Sequence, residues 1–160
     1  MALAILEREA SYFTPERFKL LEEFIRGLCG WSKIDAYTGL FLRQILKSHE
    51  ADLIKLLTSW NRDDYLWLRR ASVVLFTRQV AKSQQYIDVA LANCETLIHD
   101  KEHLVQTGVG WCLRDLMRWH KKEILPYVIN LRANRISSKI TLYALRDIKG
   151  DERKEILGKK

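Results

Sequence analysis

The segment VQTGVGWCLRDLMRWHKK, from Val105 to Lys122, carries its apolar residues at the spacing of an amphipathic helix. Part of it returns later in the chain, because WCLRDL at Trp111–Leu116 resembles YALRDI at Tyr143–Ile148. Gly108 and Gly110 lie inside this helix, where each glycine costs about 1 kcal/mol relative to alanine. A helix that keeps both glycines lets another group approach closely, and that group is either a polyanion backbone or a second helix.

Helical spacing of this kind runs through the whole chain and falls into pairs. The predicted first helices lie near residues 15–28, 49–60, 83–98 and 121–132, and their partner helices near 31–47, 64–80, 102–118 and 138–148. Successive pairs begin 34 to 38 residues apart, a period typical of stacked helix pairs. With only two prolines and seven glycines, the chain is poorly suited to many short strands. The expected fold class is all-α, an α-solenoid of HEAT-like helix pairs.

Residues with short polar side chains mark the starts of these helices. Thr14 precedes Pro15 at a first helical position, and the other candidate caps are Asp63 or Asp64, Ser83, and Ser137 or Ser138. Tetratricopeptide repeats have a similar period, but their small residues and Trp-Leu-Gly pattern do not line up here. We expect one domain over residues 1–148, beginning with the second helix of an incomplete pair, and a basic, frayed tail over residues 149–160.

The positive charge is concentrated near the C-terminus. The chain has a net charge of +7, yet residues 1–113 hold 14 basic and 14 acidic residues, whereas residues 114–160 hold 13 basic and 6 acidic ones. This asymmetry indicates a polyanion partner, and the alternative is an ordinary solvated surface. The longest apolar runs have five or six residues, too few to span a bilayer, and Glu7 comes too early for a secretory signal. Three unevenly spaced cysteines indicate free, buried thiols in a reducing compartment, which we expect to be the cytoplasm.

Candidate functional residues lie on the partner helices. Trp31 and Asp35 are four residues apart and share a helix face, and Arg69 and Arg70 come early on the next partner helix. On the third, Trp111 shares its face with Thr107, Arg114 and Arg118. Because second helices line the concave surface of a solenoid, we predict that Trp31, Asp35, Arg69 and Trp111 share one cleft. The alternatives are a partly buried Trp111 and an Asp35 that only stabilises its helix N-terminus.

Two other patterns carry weaker signals. HDKEH at His99–His103 has two histidines at a spacing that zinc ligands use, but it bridges two helices and no third ligand cluster is apparent. Cys112 falls on the apolar stripe of its helix without a partner base, which indicates a buried and inert thiol.

The chain contains three motifs in order: W-x-x-x-D at 31–35, W-L-R-R at 67–70 and G-x-G-W-x-L-R at 108–114. Together they resemble the motifs of the bacterial DNA alkylation repair enzymes, which are the HEAT-like-repeat alkylpurine DNA glycosylases. The resemblance extends from about residue 2 to residue 148. It implies that Asp35 is the catalytic residue, that Trp31 and Trp111 are the cleft tryptophans, and that Arg69 is the cleft arginine, which binds a phosphate.

The same resemblance implies an activity. Members of the family hydrolyse the N-glycosidic bond of cationic alkylated purines, such as 3-methyladenine and 7-methylguanine, in duplex DNA, without a metal or a cofactor. The arginines that we expect to contact phosphates in the basic region are Arg114, Arg118 and Arg146. The family's chains also begin with further helices that form one arm of the DNA-binding concavity, and we expect this chain to lack them. Two alternatives stay open: a non-catalytic DNA-binding HEAT-like protein, and a helical-repeat scaffold that binds another protein.

Overall fold

Helices make up all the regular structure of residues 10–158, the part of the chain that the computed structural model describes. The α-helices are α1 (Phe18–Arg26), α2 (Trp31–Ala36), α3 (Arg43–Ser48), α4 (Glu50–Trp60), α5 (Leu66–Val74), α6 (Ile87–Leu97), α7 (His103–Trp119), α8 (Lys121–Ala133), α9 (Ser138–Ala144) and α10 (Gly150–Leu157). Short 3₁₀ turns cover Ala10–Tyr12, Pro15–Arg17, Val80–Lys82, Gln84–Tyr86 and Leu145–Asp147. The all-α prediction is confirmed, and each of the eight paired helices predicted between residues 15 and 148 has a counterpart in the structure.

The helices pack as the predicted pairs. In the first pair, α1 packs against a continuous helical run. In this run a π-helix, Tyr37–Leu42, joins α2 to α3. The later pairs are α4 with α5, α6 with α7 and α8 with α9, and the partner helices α5, α7 and α9 also contact their neighbours along the series. The helix predicted over residues 64–80 ends early, at Val74, because the chain then turns through Arg78, whose φ of 53° cannot continue a right-handed helix.

Of the predicted capping residues, Ser137 caps its helix with its side chain, and the others lie at or before a helix start without a side-chain capping bond. The Asp63 carboxylate accepts a hydrogen bond of 2.7 Å from the backbone N–H of Tyr65, just before α5. The Ser137 hydroxyl accepts one of 3.3 Å from the N–H of Lys139 at the start of α9. Thr14 precedes Pro15 at the first position of a 3₁₀ turn that leads into α1. Ser83 precedes a 3₁₀ turn without a side-chain capping bond.

The long helix α7 lies at the centre of the core. Its predicted apolar stripe is fully buried: Val105, Val109, Cys112, Leu113 and Leu116. A Cβ atom added to Gly110 would lie 2.8 Å from the Cβ of Tyr143 and 2.9 Å from the carbonyl oxygen of Ile140. Gly110 is therefore present because α9 packs directly against α7, and close helix packing is the correct one of the two explanations for this glycine.

The C-terminal end of the described chain differs from expectation. The tail that we expected to be frayed forms α10, where Arg153 donates to the backbone carbonyls of Leu145 and Ile148. The helix predicted for the first dozen residues lies mostly outside the described part.

Cys94 and Cys112 are buried as expected, but Cys29 is exposed because it lies in the turn between α1 and α2. Within residues 10–158, no helix combines the length and apolarity that crossing a membrane requires.

Candidate functional site

Partner helices from successive pairs enclose one cleft of about 580 Å³. The cleft is lined by Trp31, Ser32, Asp35, Ala36, Leu40, Arg70, Arg78, Leu104, Thr107, Trp111, Arg114 and Tyr143. The structure therefore brings together Trp31, Asp35 and Trp111, three of the four residues that the sequence placed there. The fourth, Arg69, does not line the cleft.

Asp35 forms a buried, bidentate ion pair with Arg70. The Nε and Nη2 atoms of Arg70 each lie 2.8 Å from a different oxygen of the carboxylate, and both side chains are only 6% exposed. The Nη1 atom of Arg70 donates to the carbonyl of Leu104 and to the Thr107 hydroxyl on α7. Two parallel hydrogen bonds between planar groups fix the carboxylate in orientation as well as in position. Asp35 is thus held by a second helix, and it lies beyond the first turn of α2, so the alternative that it only stabilises that helix N-terminus is wrong.

Arg69 has a different set of partners, which corrects its assignment to the cleft. Its Nε lies 2.6 Å from Oδ2 of Asp100, and its Nη1 donates to the carbonyls of Asp63 and Asp64 at 2.7 and 2.8 Å. Consecutive residues of an α-helix point about 100° apart, so only one of the two arginines can face the cleft. The structure gives that position to Arg70, while Arg69 ties α5 to the start of the next partner helix.

The two tryptophans are held to different degrees. Trp31 is 57% exposed at the first position of α2, directly after Gly30, whose φ of 90° turns the chain into the helix. Trp111 is half-buried on α7, and its Nε1 donates a hydrogen bond of 2.9 Å to Oδ2 of Asp115. The Trp31 ring is therefore accessible to a ligand from solvent, whereas the Trp111 ring is fixed in its orientation.

Asp115 and its four partners form a group that we call the Asp115 cluster. The carboxylate is 3% exposed, and its Oδ2 accepts from the Trp111 indole and, at 2.9 Å, from the backbone N–H of Arg78. Its Oδ1 accepts from Arg114 at 2.9 Å and from Arg118 at 3.2 Å. Sequence reasoning missed both Asp115 and Arg78. The recurrence of Leu-Arg-Asp in the two similar segments was a signal for Asp115, whereas nothing in the sequence marks Arg78.

The three arginines expected to bind phosphates have unequal access to solvent. The Arg114 side chain is 15% exposed and belongs to the Asp115 cluster. Arg118 is about half exposed, and its hydrogen bond of 2.6 Å to Asp147 raises the pKa of its guanidinium above the ordinary value. Arg146 is exposed, with its guanidinium 5.9 Å from the centre of the Tyr143 ring.

The weaker sequence patterns do not add to the cleft. Asp100, within the His99–His103 pattern, is the ion-pair partner of Arg69. In the part of the chain that the structure describes, no three His, Cys, Asp or Glu side chains lie close enough together to hold a metal ion. A hydrogen bond with Cys94, together with burial, raises the pKa of the Cys112 thiol well above its usual range. Cys112 is therefore poorly suited to act as a nucleophile.

The fold and the cleft define a class of protein: a HEAT-like helical-repeat protein whose concave surface carries aromatic rings, arginines and a buried carboxylate. The sequence model of the DNA alkylation repair enzymes matches residues 1–148, and the chain belongs to that family. No curated protein matches it.

Proposed function

We propose that this protein is a DNA glycosylase that hydrolyses the N-glycosidic bond of cationic alkylated purines, such as 3-methyladenine and 7-methylguanine, in duplex DNA. The observation that carries the proposal is the position of Asp35, a nearly buried carboxylate held by Arg70 in a cleft that Trp31 and Trp111 also line. Membership of the DNA alkylation repair family supports it.

The chemistry requires little beyond a well-placed negative charge. An N-alkylated purine is already cationic, so the base leaves as a neutral molecule when the bonding electron pair moves onto its nitrogen. The deoxyribose then develops oxocarbenium character, and a nearby fixed carboxylate stabilises that positive charge. Water adds to C1′ and loses a proton, which leaves an abasic site. Asp35 fits this role because each of its oxygens accepts one hydrogen bond from Arg70 and keeps a lone pair for a water molecule or for the sugar.

Arg70 contributes by fixing that carboxylate. Removing charged groups from water is costly, and a buried aspartate is stable when a cation and hydrogen bonds compensate it. Arg70 supplies both, and its Nη1 atom donates to Leu104 and Thr107 on α7. The geometry of the pair is therefore set before substrate arrives, which is the condition under which electrostatic stabilisation is most effective.

The tryptophans suit the other half of the substrate. The flat face of an indole attracts cations and packs against the apolar face of a sugar. Trp31 is exposed enough to move onto a lesion, and Trp111 presents a fixed surface across the cleft. The exposed guanidinium group of Arg146 extends the positive charge beyond the cleft, where the DNA backbone would lie, whereas that of Arg118 is paired with Asp115 and Asp147.

The direct test is the product of the reaction. Duplex DNA treated with a methylating agent is incubated with the protein. The amounts of free 7-methylguanine and 3-methyladenine are measured by chromatography, and they are compared with the number of new abasic sites in the DNA. We expect the two counts to rise together, above the rate of spontaneous loss, and untreated DNA to release nothing. Release no faster than the spontaneous rate would contradict the proposal. Tight, salt-sensitive binding without release would then identify the non-catalytic DNA-binding alternative.

A further inference from the structure

The three arginines that line the cleft differ in whether their charge is compensated. Arg70 is paired with Asp35, and Arg114 is paired with Asp115. Among residues 10–158, no carboxylate lies within ion-pair distance of the Arg78 guanidinium, and this residue is exposed. Within the described part of the chain, Arg78 is therefore the cleft arginine that can offer its full charge to a ligand.

The backbone of Arg78 adopts a conformation that its side chain disfavours. Its φ of 53° lies in the left-handed region, which residues other than glycine, asparagine and aspartate seldom enter. Its N–H donates a hydrogen bond of 2.9 Å to the buried Asp115 carboxylate, which holds the turn in place. A strained backbone that the surrounding structure maintains is typical of functional sites.

Two further contacts fix the direction of the Arg78 side chain. The guanidinium carbon lies 4.8 Å from the centre of the Trp111 ring, within the range of a cation–π contact. Its Nη1 occupies space beside Gly39, in the π-helix, that any Cβ at that position would fill. Asp115, Trp111 and Gly39 thus position one cation at the wall of the cleft before any ligand binds.

We propose that Arg78 binds a backbone phosphate next to the lesion, with Trp111 as its support. This rests on the proposed function, under which the cleft takes a cationic purine. A free cation at this position would repel such a base, so its ligand must be an anion. In duplex DNA the only anions are the phosphates, and a guanidinium binds them through two hydrogen bonds.

The test variant is Arg78→Gly, which removes the charge and suits the left-handed backbone. We expect its melting temperature to equal or exceed that of the wild type. Its affinity for undamaged duplex should fall roughly fivefold to tenfold at 0.1 M salt, and the slope of log K against log salt should flatten by about 0.9, the value for one phosphate contact. Arg78→Lys should retain most of the slope. A wild-type slope in Arg78→Gly would overturn the proposal.

A control with the same loss of charge is Lys55→Gln. Lys55 is exposed on α4, no residue of which lines the cleft, so its slope should match the wild type. An equal flattening in this control would show a general charge effect and would also overturn the proposal. A measurement of base release distinguishes failure of the phosphate site from failure of the proposed glycosylase function. If Arg78→Gly flattens the slope while the wild type releases no base, the phosphate site stands and the glycosylase proposal fails.

Discussion

Asp35 on the first partner helix and Asp115 on the third are equally buried, but their hydrogen-bond partners differ. They are 4% and 3% exposed. Asp35 accepts two hydrogen bonds, both from Arg70, whereas Asp115 accepts from the Arg78 backbone, the Trp111 indole and two guanidinium groups. The difference shows that burial alone does not determine what a carboxylate is available to do. A carboxylate with filled acceptor sites holds other groups in place, and one with unused lone pairs can act on a ligand.

The largest effect that we expect is a loss of stability when the Asp115 carboxylate is removed. Asp115→Ala leaves the Trp111 indole N–H and the Arg78 backbone N–H without their acceptor and removes the 2.9 Å ion-pair partner of Arg114, although Arg118 keeps its bond to Asp147, so the free energy of unfolding should fall by about 3–5 kcal/mol. Urea denaturation followed by circular dichroism measures it. Asp147→Ala is the matched control, because that carboxylate also pairs with Arg118 but is 41% exposed, and it should cost at most about 1 kcal/mol. Equal losses in the two variants would show that Asp115 does not organise the cluster.

The second effect concerns catalysis at the other aspartate. Arg70→Lys keeps the positive charge but loses the planar, bidentate contact with Asp35, so the rate of base release should fall by up to about 10²-fold. Arg69→Lys is the control on the same helix, since a lysine at that position can still pair with Asp100, and its rate should stay at the wild-type value. Single-turnover release of 7-methylguanine is the measurement. A larger loss in Arg69→Lys than in Arg70→Lys would return the cleft assignment to Arg69.

The smallest effect compares the two glycines of α7, of which Gly108 lies beside Arg70, the partner of Asp35, and Gly110 lies against α9. Gly110→Ala places a Cβ against the backbone of α9 and should cost about 1–3 kcal/mol, because a rigid neighbour must shift. For Gly108→Ala the nearest neighbours of the new Cβ are the Arg70 and Val73 side chains, at 3.4 and 3.5 Å, and stability should change by less than about 1 kcal/mol, since the gain in helix propensity offsets the contact. Thermal unfolding measures both, and the reverse order would contradict the packing described here.

The fold could be predicted from the sequence because its signals are local and repeated. Apolar spacing, caps and a period of 34 to 38 residues give the helices and their pairing, and α7 buries the predicted stripe. The period also brought Trp31, Asp35 and Trp111 onto one surface. The spacing between successive pairs varies by more than one residue, however, and a shift of one residue changes the direction of a helical side chain by about 100°. The choice between Arg69 and Arg70 was therefore beyond its precision.

The Asp115 cluster was harder to predict because it depends on backbone geometry outside the helices. Periodicity extended the second partner helix to residue 80, which would have placed Arg78 on a regular helix face. The chain instead leaves the helix at Val74, and the left-handed turn at Arg78 brings its N–H to Asp115 on a different helix. Contacts between a turn and a distant side chain leave no periodic trace in a sequence.

The measurement that tests the central claim most directly is the release of 7-methylguanine by Asp35→Asn and by the wild type at saturating methylated DNA, with Asp52→Asn, an exposed residue of α4, as the control. Stabilisation of the sugar cation exists only in the transition state, so Asp35→Asn should bind undamaged duplex at least as tightly as the wild type, because loss of the Asp35 charge leaves Arg70 uncompensated and makes the cleft more positive. Its release rate should nevertheless fall by about 10²-fold, the lower end for one electrostatic group, whereas Asp52→Asn should match the wild type. Equal release by Asp35→Asn and the wild type, above the spontaneous rate, would show that catalysis does not use Asp35.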